Sequence, residues 1–72
     1  DEDYTNINSK TMLYGRRFSE IDYEEGRNVI LLDEDGAKKL FGRVNVVGEK
    51  LQVGSSSRKV TATVIGITEN LN

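Results

Sequence analysis

The chain is 72 residues long and carries ten basic and twelve acidic residues, with the two signs of charge interspersed along its length. It contains no cysteine, histidine or proline, which excludes disulfides, thiolate metal sites and catalytic pairs built on Cys or His. The length limits the chain to one small domain, and cores of this size rarely supply more than roughly 3–5 kcal/mol of stability. The charge balance argues against the basic face of a nucleic-acid-binding protein.

The first third of the sequence predicts two short elements. Residues 1–4 lack the basic and apolar regions of a signal peptide, and no stretch of the chain has the roughly 18 apolar residues of a membrane span. Residues 12–14 favour a strand. Ser19 and Asp22 then have the spacing of a helix-capping box, which predicts a helical turn that ends near Gly26.

A strand and a helix follow. Residues 27–32 include the branched apolar run Val-Ile-Leu-Leu, which is typical of a strand that is covered on both faces. Asp33 can cap a helix from about residue 34 to 41, and Gly42 is its expected end. The apolar residues of this helix recur at helical spacing and form one stripe, while two lysines face water. The stripe consists of Ala37, Leu40 and Phe41.

The C-terminal third predicts a hairpin. Polar and apolar residues alternate over 49–53 and again over 60–67, and residues 54–57, Gly-Ser-Ser-Ser, lie between them as a flexible turn. Gly66 inside the second strand indicates a bulge or a close approach of another backbone. Together these elements predict an α+β fold with a small, mainly antiparallel sheet, one short helix at about residues 34–41 and a C-terminal hairpin.

Two short patterns suggest chemistry but lack the context that the chemistry needs. Ser56 and Lys59 have the spacing of serine–lysine enzymes, yet they lie in a predicted turn without the companion motifs. The acidic run that begins at Asp33 resembles the start of a calcium loop, but Val44 stands where the loop needs a glutamate. We therefore expect no catalytic residue, no cofactor and no metal site.

Five short motifs occur in a fixed order. They are Gly-Arg-Arg-Phe-Ser-Glu-Ile-Asp at 15–22, Arg-Asn-Val-Ile-Leu-Leu at 27–32, Ala-Lys-Lys-Leu-Phe-Gly at 37–42, Val-Gly-Glu-Lys-Leu-Gln-Val-Gly at 47–54 and Val-Ile-Gly-Ile at 64–67. In order and spacing they resemble the periplasmic core domain of MacB/FtsX-like ABC transporter permeases. The first and third are similar to that family's G-R-x-F-[S/T]-x-x-D and A-x-x-L-F-G patterns, and the resemblance extends from about Tyr4 to Thr68.

The resemblance implies a place for the chain in a larger protein. Residues 1–72 would be a single module, the smaller subdomain of an extracytoplasmic domain that belongs to a membrane-embedded, dimeric permease coupled to an ATPase. Such domains contact adaptor proteins or cargo during ATP-driven export or mechanotransmission. The resemblance transfers no catalytic residue onto this chain, so it implies a non-catalytic interaction domain on the extracytoplasmic face of the membrane.

Two details depart from the family pattern. The family often has proline before its Val-Gly pair, where this chain has Val46. The predicted turn from Gly54 to Arg58 is also longer than the tight turn that is common in the family.

Exposed loops are the expected contact surfaces, because loops carry recognition more often than packed elements do. One set of candidate contact residues lies in the predicted turn Tyr23, Glu24 and Glu25. The other lies at the predicted hairpin tip and consists of Ser55, Ser56, Ser57, Arg58 and Lys59.

The remaining signature residues have structural interpretations. Phe18, Leu40 and Phe41 are expected in the core, and Gly15, Gly42, Gly48 and Gly66 are expected at turns or close approaches. The alternative to a permease module is a free-standing, OB-like β-rich module that binds nucleic acid or peptide. The interspersed charges disfavour strong binding to nucleic acid.

Overall fold

Four strands and two helices make up the part of the chain that the structure, a computed structural model, describes, which is residues 9–71. In chain order they are β1 (Met12–Gly15), α1 (Glu20–Glu24), β2 (Val29–Asp33), α2 (Glu34–Phe41), β3 (Lys50–Ser55) and β4 (Arg58–Thr68). The predicted α+β fold with its C-terminal hairpin is confirmed. The expectations for residues 1–4, including the start of the family resemblance at Tyr4, lie outside the described residues.

Helix α2 begins and ends at the residues that its sequence predicts. The Asp33 carboxylate accepts a hydrogen bond from the Gly36 N–H at 2.8 Å, which satisfies one of the free amides of the first turn. Gly42 adopts φ 80° and donates its N–H to the Lys38 carbonyl at 2.8 Å, which ends the helix in the left-handed conformation that glycine accepts without strain. Neither helix within residues 9–71 has the length and apolar character needed to cross a membrane.

Strand β4 is the common partner of the other three strands. It pairs antiparallel with β1 and β3 and parallel with β2. Thr63 is paired with Lys50 on one side and Val29 on the other, so β2 occupies one edge of β4 while β3 and β1 follow each other along the opposite edge. The sheet is mainly antiparallel, as predicted. An open sheet with a parallel pair differs from the five-stranded Greek-key barrel of an OB fold, which removes the fold-level support for the alternative.

The core lies between α2 and one face of the sheet. Its fully buried members are Ala37, Val46, Val64 and Ile67, and Ile30, Leu32, Phe41, Val44 and Leu51 pack against them. Because side chains alternate between the faces of a strand, the remaining apolar residues of β2, Val29 and Leu31, point to the face opposite α2.

Three predictions of burial were wrong. Phe18 is 53% exposed and Leu40 is 56% exposed, and β2 is half-buried along its whole length instead of covered on both faces. The apolar stripe of α2 is narrower than its spacing suggests, because Ala37 and Phe41 contact the sheet whereas Leu40 does not lie in the core. Phe18 lies in the segment between β1 and α1, where the described residues leave it largely uncovered.

Gly66 combines both features that its position in a strand predicts. The pairing with β2 passes from Ile30 opposite Val64 to Leu31 opposite Gly66, so Ile65 is an extra residue in β4 and forms a bulge. A Cβ atom at Gly66 would lie 2.6 Å from the Arg16 carbonyl oxygen, which is too close for any side chain. Because Gly66 has no side chain, the backbone of Arg16, which follows β1, can pass over β4 in direct contact with it.

The hairpin turn is tighter than predicted. The β3–β4 ladder continues to the pair Ser55–Arg58, so Ser56 and Ser57 alone lie between the strands. The prediction of a long turn from Gly54 to Arg58 was wrong because Gly54, in the ladder opposite Lys59, adopts φ 119° and extends β3.

Candidate functional site

The segment that links β1 to α1 is held by an ion pair. Arg16 donates two hydrogen bonds to the Asp22 carboxylate, from Nη1 to Oδ2 at 2.7 Å and from Nη2 to Oδ1 at 2.9 Å. The Asp22 side chain is 3% exposed, while that of Arg16 is about half exposed. Two parallel hydrogen bonds fix both the distance and the orientation of the guanidinium group, so this pair closes the loop between residues 16 and 22.

Asp22 is also half of the predicted capping box. The Ser19 N–H donates to Asp22 Oδ2 at 2.9 Å, and the Ser19 hydroxyl oxygen accepts from the Asp22 N–H at 3.4 Å. Helix α1 therefore begins where the sequence predicts it. Arg27, with its Nη1 at 3.6 Å from Asp22 Oδ1, adds a second positive charge beside the same carboxylate.

These contacts determine the chemistry of Asp22. The hydrogen bonds from the Arg16 guanidinium, and then that from the Ser19 N–H, hold the pKa of Asp22 well below its ordinary value, although burial opposes the shift. The same contact raises the pKa of Arg16. The carboxylate therefore stays ionised at neutral pH and lacks the pKa near 7 that suits a general acid or base. This part of the signature motif serves the fold.

A cavity of about 230 Å³ opens beside this ion pair on the face opposite α2. Its lining residues are Phe18, Ser19, Asp22, Tyr23, Arg27 and Val29. Pockets for drug-sized ligands or cofactors are usually about 300–1,000 Å³. This cavity is therefore smaller than such pockets usually are.

The first set of predicted contact residues lies next to this cavity. Tyr23 and Glu24 are the last two residues of α1, and Glu25 is its C-cap residue. Tyr23 is 89% exposed, so almost all of its ring is available to a partner. Glu25 is bound through Oε1 to Arg27, with a shortest distance of 2.7 Å, on the exposed side of the turn.

The second set lies at the tip of the β3–β4 hairpin. Ser55 to Lys59 are all exposed, and the hydroxyl groups of Ser55 and Ser57 lie 3.2 Å apart. Val29, beside the cavity, is paired with Thr63, which is five residues along β4 from Arg58. At about 3.3 Å per residue this separates the two sets by roughly 16 Å, so the two predicted sets do not form one continuous surface.

Sequence reasoning missed three residues of the cavity. Phe18 was assigned to the core, Val29 to a strand buried on both faces, and Arg27 received no role. The signal that could have identified Phe18 is its position: a large aromatic residue in a short connection between a strand and a one-turn helix has little sequence around it to cover it.

Comparisons with known proteins place the chain in a wider context. A family model described as the MacB-like periplasmic core domain matches residues 1–72. The macrolide export ATP-binding/permease protein MacB of Chromobacterium violaceum is 35% identical to the chain over 65 residues, which are 90% of this chain and 10% of that protein. The chain therefore spans about a tenth of the length of this relative. No solved structure matches it.

Proposed function

The chain belongs to the family of MacB-like periplasmic core domains, and from this premise we propose that it is the smaller subdomain of a larger extracytoplasmic domain in an ABC transporter permease. The observation that carries the proposal is the match to the family model along residues 1–72, supported by the 35% identity to a relative named as a permease. The module then lies on the extracytoplasmic face of the membrane.

The role that we propose for the module is interaction without catalysis. Its buried carboxylate is neutralised by Arg16 and holds a loop, while the exposed groups of the described residues include a nearly free aromatic ring at Tyr23 and a polar hairpin tip. Loops held on a rigid sheet are suited to protein recognition. We propose that these two surfaces contact an adaptor protein or cargo during ATP-driven export or mechanotransmission.

The proposed partners follow from the kind of protein that the relative is. Its name combines an ATP-binding part with a permease, so the parent of this chain would work with an ATPase and with the rest of its own permease. We propose that the parent is a membrane-embedded dimer, and that it needs neither a cofactor nor nucleic acid at this module.

Single cysteines in the full-length parent test both the location and the contacts. The chain has no native cysteine, so Tyr23→Cys, Ser57→Cys and Lys38→Cys each place one thiol in this module. A membrane-impermeant maleimide added to intact cells, with its entry across any outer membrane ensured, should label all three variants. A maleimide that carries a photo-crosslinker should then join a second protein at positions 23 and 57 and not at position 38, which is exposed on α2.

Two results would contradict the proposal. Labelling that occurs only after the membrane is broken would place the module in the cytoplasm. Equal crosslinking at all three positions, or none at positions 23 and 57, would remove the two proposed contact surfaces while leaving the location standing.

A further inference from the structure

One edge of the sheet is open in the described part of the chain. Strand β2 pairs with β4 on one side, and no strand among residues 9–71 pairs with its other side. The Thr63 N–H donates to the Asn28 carbonyl at 2.9 Å, so the backbone groups of Asn28 face β4. Those of Ile30 and Leu32, two and four residues further on, face the same side. Because alternate residues of a strand point to opposite sides, the backbone N–H and C=O groups of Val29 and Leu31 face the open edge.

Within residues 9–71, strand β2 itself carries no lysine, proline or bulge of the kind that keeps exposed strands from pairing. Proteins protect such edges with lysine, proline, bulges or inward-pointing charges. Strand β2 reads Val-Ile-Leu-Leu-Asp, and the bulge in its pairing lies on β4, at Ile65. The strand β3, by contrast, begins with the exposed residue Lys50. The sequence of β2 is therefore that of a strand with neighbours on both sides.

The cavity lies beside the open edge of β2, at the first residue of the strand. Val29, the first residue of β2, forms part of its lining together with Phe18 and Tyr23 from the segment before it. Strands that add to an open edge gain affinity from backbone hydrogen bonds and specificity from side chains that enter such pockets. The open edge supplies the first kind of contact and the cavity of about 230 Å³ supplies the second.

We propose that an extended segment from the rest of the parent polypeptide pairs with the open edge of β2 and places one apolar side chain in the cavity between Phe18, Tyr23 and Val29. This inference rests on the proposed function, because it takes the chain to be a module within a longer protein. The segment would alternate apolar with polar residues, since it would extend a sheet that has one covered face.

The parent chain is the occupant that the observations favour. An unprotected apolar edge promotes aggregation unless it is covered permanently, and a strand of the same polypeptide covers it from the time of folding. The relative that this chain matches is about ten times longer than the matched segment, so the parent has ample length to provide such a strand. The hairpin tip proposed above as a contact for adaptor or cargo lies away from this edge. Tyr23 also lines the cavity, so only the part of its exposed ring outside the cavity is left for such a partner.

Hydrogen exchange resolved to single amides tests the proposal. In the 72-residue chain, the Val29 and Leu31 amides should exchange rapidly, while those of Ile30 and Leu32, which face β4, exchange at least about tenfold more slowly. In the full-length parent all four amides should be slow. The Ile30 and Leu32 amides are the internal control, because they report whether β2 is folded in either protein.

A pocket variant gives a second, independent measurement. Phe18→Ala in the full-length parent should speed exchange at Leu31 by about tenfold or more without changing Ile30, since it removes one wall of the cavity but no backbone contact of β4. Leu40→Ala, which removes a comparably exposed apolar side chain from α2, should leave Leu31 protected. A variant that fails to fold is recognised because its Ile30 amide also exchanges rapidly.

Three outcomes would overturn the inference. Rapid exchange at Leu31 in the full-length parent would show that the edge stays open. Protection in the 72-residue chain would assign the edge to a second copy if it grows with concentration, and to residues of this same chain if it does not. Protection in the parent that appears only when another protein is added would assign it to a partner. The maleimide labelling of the intact parent is independent of all three, so failure of the proposed location is recognised separately.

Discussion

The Asp22 carboxylate is the acceptor on which the connection between β1 and α1 depends. It receives two hydrogen bonds from Arg16 and two from Ser19, one through the backbone N–H and one through the hydroxyl group at 3.2 Å. An ionised carboxylate that is nearly excluded from water is stable only with such partners. Arg16, Ser19 and Asp22 all lie in the segment that resembles the family's signature motif, and in this chain they have a structural role.

The first prediction concerns the stability of the fold as the pH falls. The pKa of Asp22 is lowered in the folded chain, so the unfolded chain takes up a proton first, near its ordinary pKa of about 3.9. The stability that the ion pair contributes is complete above that pH and is lost as the pH falls toward the lower folded pKa. We expect the urea midpoint to fall below about pH 4, and Asp22→Asn to lower it at pH 7 and flatten this dependence.

Glu24→Gln is the matched control for this measurement. It removes a carboxylate from the same helix at an exposed position, so it should leave both the midpoint at pH 7 and its decline in acid nearly unchanged. If Asp22→Asn retains the full acid dependence of the unchanged chain, the carboxylate responsible lies elsewhere.

For individual side chains, the sequence predicted contacts within one helical turn but not contacts between residues at the two ends of a loop. The Ser19–Asp22 capping box was predicted because both residues belong to one helical turn, where spacing determines geometry. The partnership of Arg16 with Asp22 was not predicted, because six residues separate them and the path of the loop decides whether they meet. The exposure of Phe18 was missed for the same reason: it depends on which part of the molecule covers the face opposite α2.

The helix α2 and its N-terminal cap give the second prediction. Asp33 accepts from the Gly36 N–H at 2.8 Å and lies 3.4 Å from the Leu71 N–H, so it joins the start of α2 to the end of the described chain. Asp33→Ala should lower the free energy of unfolding by about 1 kcal/mol, within a range of roughly 0.5–2 kcal/mol, as measured by urea denaturation followed by circular dichroism.

Asp35→Ala is the control that distinguishes the effect of the capping hydrogen bond on stability from the effect of a negative charge in the first turn. Asp35 lies in the same first turn, where a negative charge interacts favourably with the helix dipole, and its loss should cost only about 0.3 kcal/mol. Equal losses for the two variants would mean that the carboxylate of Asp33 acts through its charge and not through its hydrogen bonds.

The elements themselves were largely predictable, whereas their partners were not. Periodicity and capping residues predicted α2 at its observed bounds and the hairpin strands within a few residues, because both signals are local. The parallel pairing of β2 with β4 was not predicted, since it depends on the crossover through α2 and β3. The tight turn at Ser56 and Ser57 was missed because a run of small residues predicts a turn without fixing its length.

The charge of the whole chain gives the third prediction. Ten basic and twelve acidic residues leave a formal net charge of −2, and the basic residues do not form one continuous run. Binding to nucleic acid requires many phosphate contacts, each of which releases counterions. We expect no binding of single- or double-stranded oligonucleotides in a titration at low ionic strength followed by fluorescence anisotropy.

Salt dependence decides the meaning of any signal in that titration. Affinity that falls steeply as salt is raised would revive a nucleic-acid-binding function and contradict the proposed one. A signal that is insensitive to salt would point to apolar contact at the exposed aromatic residues instead.

The position of β4 affects how the chain can fold as it is made. Every strand pair in the described residues involves β4, and β1 is paired with residues that follow it by more than fifty positions, as in the pair Met12–Thr68. While the ribosome is still adding the last ten of these residues, β1 and β2 have no complete partner and expose their apolar side chains. Such long-range pairing is slow to form. The sheet therefore cannot be completed until Thr68 has been made, although the β3–β4 hairpin, whose paired residues extend only from Lys50 to Thr63, can form before that time.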